Sequence, residues 1–151
     1  MKKIFGVLLC ALMLSGCGGT NEVTTVCKGD LDMVTNGEVV IVSEDDKVNT
    51  MTTTVKYDYS DYVTDSAPIS YYEDYIKDNS PDYESLKGVT SKMTTKDDVI
   101  TFKIEIDFDE AEIDKLADEG ILSGSSEGVD YISLKETVSN QEKGGLTCKE
   151  Q

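Results

Sequence analysis

Hydrophobic and polar residues alternate most cleanly between Val99 and Phe108. Ile100, Phe102, Ile104, Ile106 and Phe108 fall on one face, and Thr101, Lys103, Glu105 and Asp107 on the other. A period of two over that length predicts a half-buried strand of an antiparallel sheet. Val89 to Thr95 reads as its hairpin partner, joined to it around Asp97-Asp98. Upstream, Val23 to Cys27 predicts a strand. Leu31 to Thr35 and Glu38 to Val42 predict two more, flanking Asn36-Gly37, whose tolerance of positive φ marks a two-residue hairpin turn. Ser43 to Asp46 predicts the next turn. Met51, Thr53, Val55 and Tyr57 then alternate along a β-branched run that favours a strand over a helix.

Three or four segments carry the other period. Pro68 opens a helix in which Ile69, Tyr72, Tyr75 and Ile76 recur at helical spacing. Ser80-Pro81 predicts a second start, with Leu86 as its apolar residue and Gly88 as its stop. Asp109 followed by Glu112 predicts a capping box, and Ala111, Ile113, Leu116 and Ala117 an apolar stripe that ends at Gly120. Ser123 to Gly128 reads as a flexible loop. Tyr131 to Asn140 predicts a last helix with Leu134 and Val138 one turn apart, and Gly144-Gly145 leads into a terminal strand at Cys148. The order of these elements argues for a single compact α+β domain, a mainly antiparallel β-sheet packed with two to four helices.

The N-terminus belongs to neither pattern. Lys2 and Lys3 precede an apolar run from Ile4 to Leu14, too short for a membrane-spanning helix of ~20 residues but suited to the core of a secretory signal. Leu14-Ser15-Gly16-Cys17 resembles the lipobox of bacterial lipoproteins, in which the thiol receives lipid and the chain is cut before it. The expected division is a signal peptide over residues 1–16, a lipid-anchored tether over 17–21, and the folded domain over 22–151. The expected location is extracytoplasmic, held to the membrane through Cys17 alone.

Cys27 and Cys148 are the thiols left once Cys10 departs and Cys17 is lipidated. In an exported protein such a pair reads as a disulfide. Both lie in short strand-like contexts, Thr25-Val26-Cys27-Lys28 and Leu146-Thr147-Cys148-Lys149, which suggests that two terminal strands run side by side. A redox or metal-binding pair is the alternative, without a Cys-x-x-Cys spacing or a His to support it.

Charge narrows the partners. Fourteen Lys and no Arg stand against 30 Asp and Glu, a net charge of −16, which argues against a nucleic-acid binder. Without Lys2 and Lys3 the balance is 12 against 30, or −18, so the acyl chains rather than the surface must hold the domain at an anionic membrane. The absence of His removes Ser-His-Asp and Cys-His catalysis and His-containing zinc sites. The acidic run Glu105, Asp107, Asp109, Glu110, Glu112 and Asp114 fails the calcium-loop pattern, because Ala111 and Glu112 stand where a ligand and a Gly are required. No metal ligand and no cofactor is assigned.

Seven of the eight tyrosines lie between Tyr57 and Tyr83. Tyrosine joins contact area to a polar tip with little rotamer entropy, which suits sugar or protein contacts. Tyr59, Tyr62, Tyr71 and Tyr72 are the candidate binding surface, the competing reading being that half of these rings pack helix onto sheet.

The lipobox, Thr25-Val26-Cys27-Lys28-Gly29, Tyr83-Glu84-Ser85-Leu86-Lys87-Gly88-Val89 and Ile104-Glu105-Ile106-Asp107-Phe108 together resemble the YehR-like small bacterial lipoproteins. The resemblance implies a compact α+β domain on a lipid anchor, with no activity or cofactor attached and only Cys17 carried over as a functional residue. The expected role is a binding or envelope-interaction module with an envelope protein or glycan as partner. The alternatives are a carboxylate-based hydrolase, which requires a buried Asp or Glu in a pocket, and a structural partner of an envelope complex, which requires an exposed apolar patch.

Overall fold

β-branched and aromatic residues at alternate positions give six strands in a computed structural model that describes residues 21–31, 34–122 and 129–151. The segment expected to be a signal peptide, Cys17, most of the expected tether and the expected loop at 123–128 lie outside the described residues. The strands are β1 (Glu22–Leu31), β2 (Val34–Glu44), β3 (Lys47–Asp58), β4 (Val89–Lys96), β5 (Val99–Asp107) and β6 (Thr147–Glu150). They form one antiparallel sheet in the order β4-β5-β3-β2-β1-β6. The helices are α1 (Ile69–Asp78), α2 (Ile113–Asp118) and α3 (Leu134–Lys143), with a single 3-10 turn at Tyr83–Ser85. The α+β expectation holds.

Register sorts the residues between two faces. Cys27, Val39, Thr53 and Ile104 are successive cross-strand partners, and so are Thr25, Ile41, Met51, Ile106 and Val89. These rungs face the helices, and Cys27, Ile41, Val48, Ile100 and Ile106 are almost wholly buried there with Leu116 of α2. Residues at the intervening strand positions, such as Thr24, Val40, Thr52, Glu105 and Thr90, point to the other face, where none of the described side chains is buried.

Four local expectations are corrected. Asn36-Gly37 is not a turn: both lie within β2, with Gly37 opposite Gly29 and the β1–β2 ladder closing at Leu31–Val34. A turn at Asn36-Gly37 would pair only a few residues, whereas the observed register runs back to Glu22–Glu44 and aligns Cys27 with Val39. Close approach is instead a requirement at Gly29, the partner of Gly37, where a Cβ would lie 3.0 Å from the Gly145 carbonyl oxygen. The type I′-like turn is at Asp97-Asp98, where φ is +50° and +59°.

The helix expected from Ser80-Pro81 shrinks to the 3-10 turn. Leu86, which must enter the core, comes only five positions after Pro81, and so short a segment cannot repay helix nucleation. Gly88 follows at φ +71°, where a Cβ would meet the Asp107 carbonyl oxygen at 2.7 Å. Asp109 does not cap α2; its carboxylate pairs with Lys47 at 2.5 Å, while the Asp107 carboxylate accepts from the Asp109 amide at 3.0 Å. Glu112 takes the cap position of α2 without a side-chain bond.

The last helix starts at Leu134, three residues after the expected Tyr131, because Ser133-Leu134-Lys135-Glu136 has the Ser-x-x-Glu form of a helix start. The Ser133 hydroxyl accepts from the Glu136 amide (3.2 Å) and donates to the Asp46 carboxylate (2.9 Å). That carboxylate also accepts from the Lys135 amide (3.0 Å), and the Asp46 carbonyl accepts from the Leu134 amide (2.7 Å). All three free amides of the first turn are thereby satisfied, two of them by the β2–β3 turn. The far end of α3 leads into β6, where Cys148 pairs directly with Cys27 and is disulfide-bonded to it.

Two outcomes follow from this architecture. The bond joins cysteines 121 positions apart in the sequence, and replacing both by Ser should lower unfolding free energy by about 2–5 kcal/mol in a denaturant titration. The amide of Lys135 and the hydroxyl of Ser133 hold the Asp46 carboxyl below its usual range. Their contribution is fully present above the ordinary carboxylate pKa and is lost as pH falls through the depressed folded value. Hydrogen exchange at Lys135 should therefore stay slow at neutral and mildly acidic pH and quicken only in strong acid, whereas Asp46→Ala should quicken it at neutral pH.

Candidate functional site

β3 ends in Tyr57-Asp58 with Tyr59 the next residue, and α1 begins three residues before Tyr72, so one loop brings the two groups of tyrosines together. Asp58 starts that loop: its carboxylate accepts from the Ser60 amide (3.0 Å) and hydroxyl (2.6 Å), which hold its pKa below the usual value. The Tyr59 amide donates to the Asp98 carbonyl at 3.0 Å, fixing the loop to the β4–β5 turn. Thr64 and Ala67 close the loop by exchanging backbone bonds of 3.1 Å. Pro68 then enters α1 in an extended conformation as its cap residue. On the far side of the helix the Thr95 hydroxyl donates to the Glu73 carboxylate, tying α1 to β4.

The result is a continuous run of rings. Tyr59 stacks on Tyr72 with centroids 4.2 Å apart, and the edge of Tyr62 meets Tyr59 at 6.5 Å. Tyr71 meets Tyr72 edge to face at 5.3 Å, and the Tyr72 hydroxyl donates to the Tyr62 carbonyl at 3.1 Å. All four tyrosines singled out from the sequence thus share one surface. They divide by role: Tyr59 and Tyr72 spend their faces on each other, while Tyr62 and Tyr71 are each 59% exposed. Burial raises the Tyr59 pKa, and the neighbouring Tyr57, Tyr72 and Tyr75 raise it further, so its hydroxyl keeps its proton in any ordinary medium.

Two members were missing from the sequence-based set. Tyr57 lies nearly parallel to Tyr59 at 6.2 Å, and Tyr75 is as exposed as Tyr62. The signals were present: Tyr57 stands two residues before Tyr59 on a strand, and Tyr75 three and four residues beyond Tyr72 and Tyr71 on a helix. Tyr83, by contrast, packs against Phe102 at 5.7 Å and joins the core, as the competing reading requires for part of the group.

The cluster sits at one end of the sheet. The chain enters β1 at Glu22, which pairs with Glu44 beside Lys47, whereas Tyr57 and Tyr59 lie at the opposite end of β3. At a rise of ~3.3 Å per residue the length of β3 separates these ends by about 35 Å.

A second concavity lies behind α2 and α3, a cavity of about 190 Å³ floored by Met51, Phe108 and Ile132 and walled by Glu136, Asn140 and Gln141 of α3. Glu136 is the one carboxylate among its described lining residues, where hydrolysis by paired carboxyl groups needs two. The buried polar residues of the described chain are Thr25 and Ser43, neither of them acidic. No group of three or more Cys, Asp or Glu among the described residues is placed to hold a metal ion. No described helix is long and apolar enough to cross a membrane.

Comparison with known proteins gives the fold a context. The structure of E. coli YehR superposes with a TM-score of 0.66 at 18% sequence identity, covering 87% of this chain and 93% of that one. A protein from Streptococcus pneumoniae TIGR4 superposes with a TM-score of 0.56 at 15% identity, covering 100% of this chain and 98% of that one. Both are similar in fold. No functionally curated protein matches the sequence. Residues 28–147 match the model of a family described as a protein of unknown function, DUF1307, and with four-fifths of its length inside that match the chain belongs to the family.

Proposed function

We propose that this protein is an exported, lipid-anchored binding module that presents its tyrosine-lined end to a glycan or protein of the cell envelope. The observation that carries the reading is the convergence of Tyr59, Tyr62, Tyr71 and Tyr72 into one surface whose outer two rings are mostly exposed. Tyr59 and Tyr72 lock each other and brace their neighbours, so Tyr62 and Tyr71 offer rigid, amphipathic faces with little entropy left to lose on binding.

The anchor reading rests on Lys2-Lys3, the apolar run to Leu14 and the lipobox-like Leu14-Ser15-Gly16-Cys17. The Cys27–Cys148 disulfide supports it, because such bonds persist in oxidising compartments outside the cytoplasm. A chain anchored at Cys17 meets the sheet at Glu22 after a five-residue tether, which turns the opposite end, with its tyrosines, about 35 Å away from the membrane. The membrane partner is the lipid alone, the acidic domain standing off in water.

Two measurements test these parts separately. Cys17→Ala should move the protein from the membrane fraction to the soluble one, and unchanged partitioning would remove the anchor. For the surface, thermal melts of residues 22–151 against a panel of glycans and peptidoglycan fragments should find a stabilising ligand. The Tyr62→Ala/Tyr71→Ala variant should weaken that ligand at least tenfold while its own melting temperature stays within a few degrees. A ligand that binds both forms equally would place the site elsewhere.

A further inference from the structure

The cavity behind α2 and α3 has two chemically different sides. Met51, Phe108 and Ile132 form its floor, Ile113 and Ala117 of α2 close the apolar side, and the space they bound is about 190 Å³. An apolar cavity of ~150 Å³ takes up benzene, so there is room here for one ring with a short arm. The opposite side is a single face of α3, which presents Glu136, Thr137 and Asn140.

That polar side is built of acceptors. The Thr137 hydroxyl donates to the Ser133 carbonyl at 2.8 Å, so its oxygen has only lone pairs left to offer. The Ser133 hydroxyl, also in the lining, has likewise given its proton to the Asp46 carboxylate. The Glu136 carboxylate accepts only, and none of the ion pairs among the described residues includes it. Asn140 adds an amide with a carbonyl oxygen to offer. The positive end of α3 is already met by Asp46, whose carboxylate accepts from the Lys135 amide.

The neighbouring charges select in the same direction. At about 100° per residue, Lys115 stands on the side of α2 opposite Ile113 and Ala117, tied to Glu112 at 2.9 Å, while Asp114 stands at the flank of the cavity. Lys135 stands on the side of α3 opposite Thr137 and Asn140. Lys143 follows Glu136 by two turns, about 10 Å along the axis and beyond the ~8 Å screening length at physiological salt. Neither lysine of α3 lines the cavity.

We propose that this cavity binds a small primary amine, its aromatic or short alkyl body on Met51, Phe108 and Ile132 and its ammonium on Glu136, Thr137 and Asn140. An ammonium carries three donors and no acceptor, which matches three acceptors on one helix face. The contact to Glu136 is charge-assisted and roughly twice as strong as a neutral hydrogen bond. A carboxylate or phosphate of the same size would meet Glu136 with like charge and find its oxygens facing other acceptors.

The test is calorimetric titration of the purified full-length protein with phenethylamine, beside phenethyl alcohol and phenylacetate as neutral and anionic probes of similar size. The amine should bind about tenfold more tightly than the alcohol, and phenylacetate should not bind. Glu136→Gln keeps the Ser-x-x-Gln form of a helix start, so it should erase the preference for the amine while the melting temperature stays within a few degrees. Tyr62→Ala/Tyr71→Ala should leave amine binding unchanged, which separates this site from the tyrosine end. A lysine side chain of a partner protein carries the same ammonium on a thinner stem, and the amide of acetylated lysine serves as its probe. Absence of saturable amine binding, equal binding of the alcohol, or indifference to Glu136→Gln overturns the proposal. Tighter binding of the lysine probe than of phenethylamine also overturns it and assigns the cavity to a protein partner.

Discussion

A sheet covered on one face only must settle, residue by residue, which side each strand position takes. That constraint runs through the whole molecule. It places Cys27, Ile41, Val48 and Ile106 on the covered side, where Leu86, Phe108 and Leu116 close over them, and buries Ile100 on the same side. It leaves the other side to Thr, Lys and Glu with Val26, Val40 and Val42 among them, and none of the described side chains there is buried. A slip of one residue in any strand would exchange the two sets, so the register is fixed by the burial it achieves. The helical layer inherits its positions from the same choice. α1 is tied through Glu73 to Thr95 on the covered face, and α3 is held at one end by Asp46 and at the other by the strand that carries Cys148.

Much of this was legible in the sequence where a pattern repeats. The alternation from Ile100 to Phe108, the Tyr72/Ile76 stripe of α1 and the similar contexts of Cys27 and Cys148 each state one thing several times. Reading failed where a short signal competed with a longer one. Asn36-Gly37 has the chemistry of a hairpin turn, yet nine rungs of β1–β2 pairing outweigh one favourable turn. Ser80-Pro81 has the chemistry of a helix start, yet the core needs Leu86 within five residues. Ser133 and Glu136 were readable as a helix start and were obscured by Tyr131 and Ile132, which precede them with the right apolarity.

The candidate sites differ in the same way. The tyrosines are neighbours in the sequence, so their grouping could be read, although the division between mutually stacked and exposed rings could not. Met51, Phe108 and Glu136 are far apart in the chain and meet because Asp46, in the β2–β3 turn, holds the first turn of α3 against the sheet. Nothing in the local sequence carries that meeting. A cavity of this kind belongs to topology, and the acidic composition does not announce it.

The bond between β1 and β6 also has a mechanical meaning. Cys27 and Cys148 are aligned partners on adjacent strands, and the chain between them holds β2, β3, β4 and β5 whole and all three helices. A pull applied at residue 22 against residue 150 reaches that covalent link after freeing only a few residues on either side. Tension then passes through two sulfur atoms, and the 120 residues of the enclosed loop carry none of it. A domain held by its first strand and loaded through its last would stretch by a few nanometres at most and keep its tyrosine surface and its cavity intact.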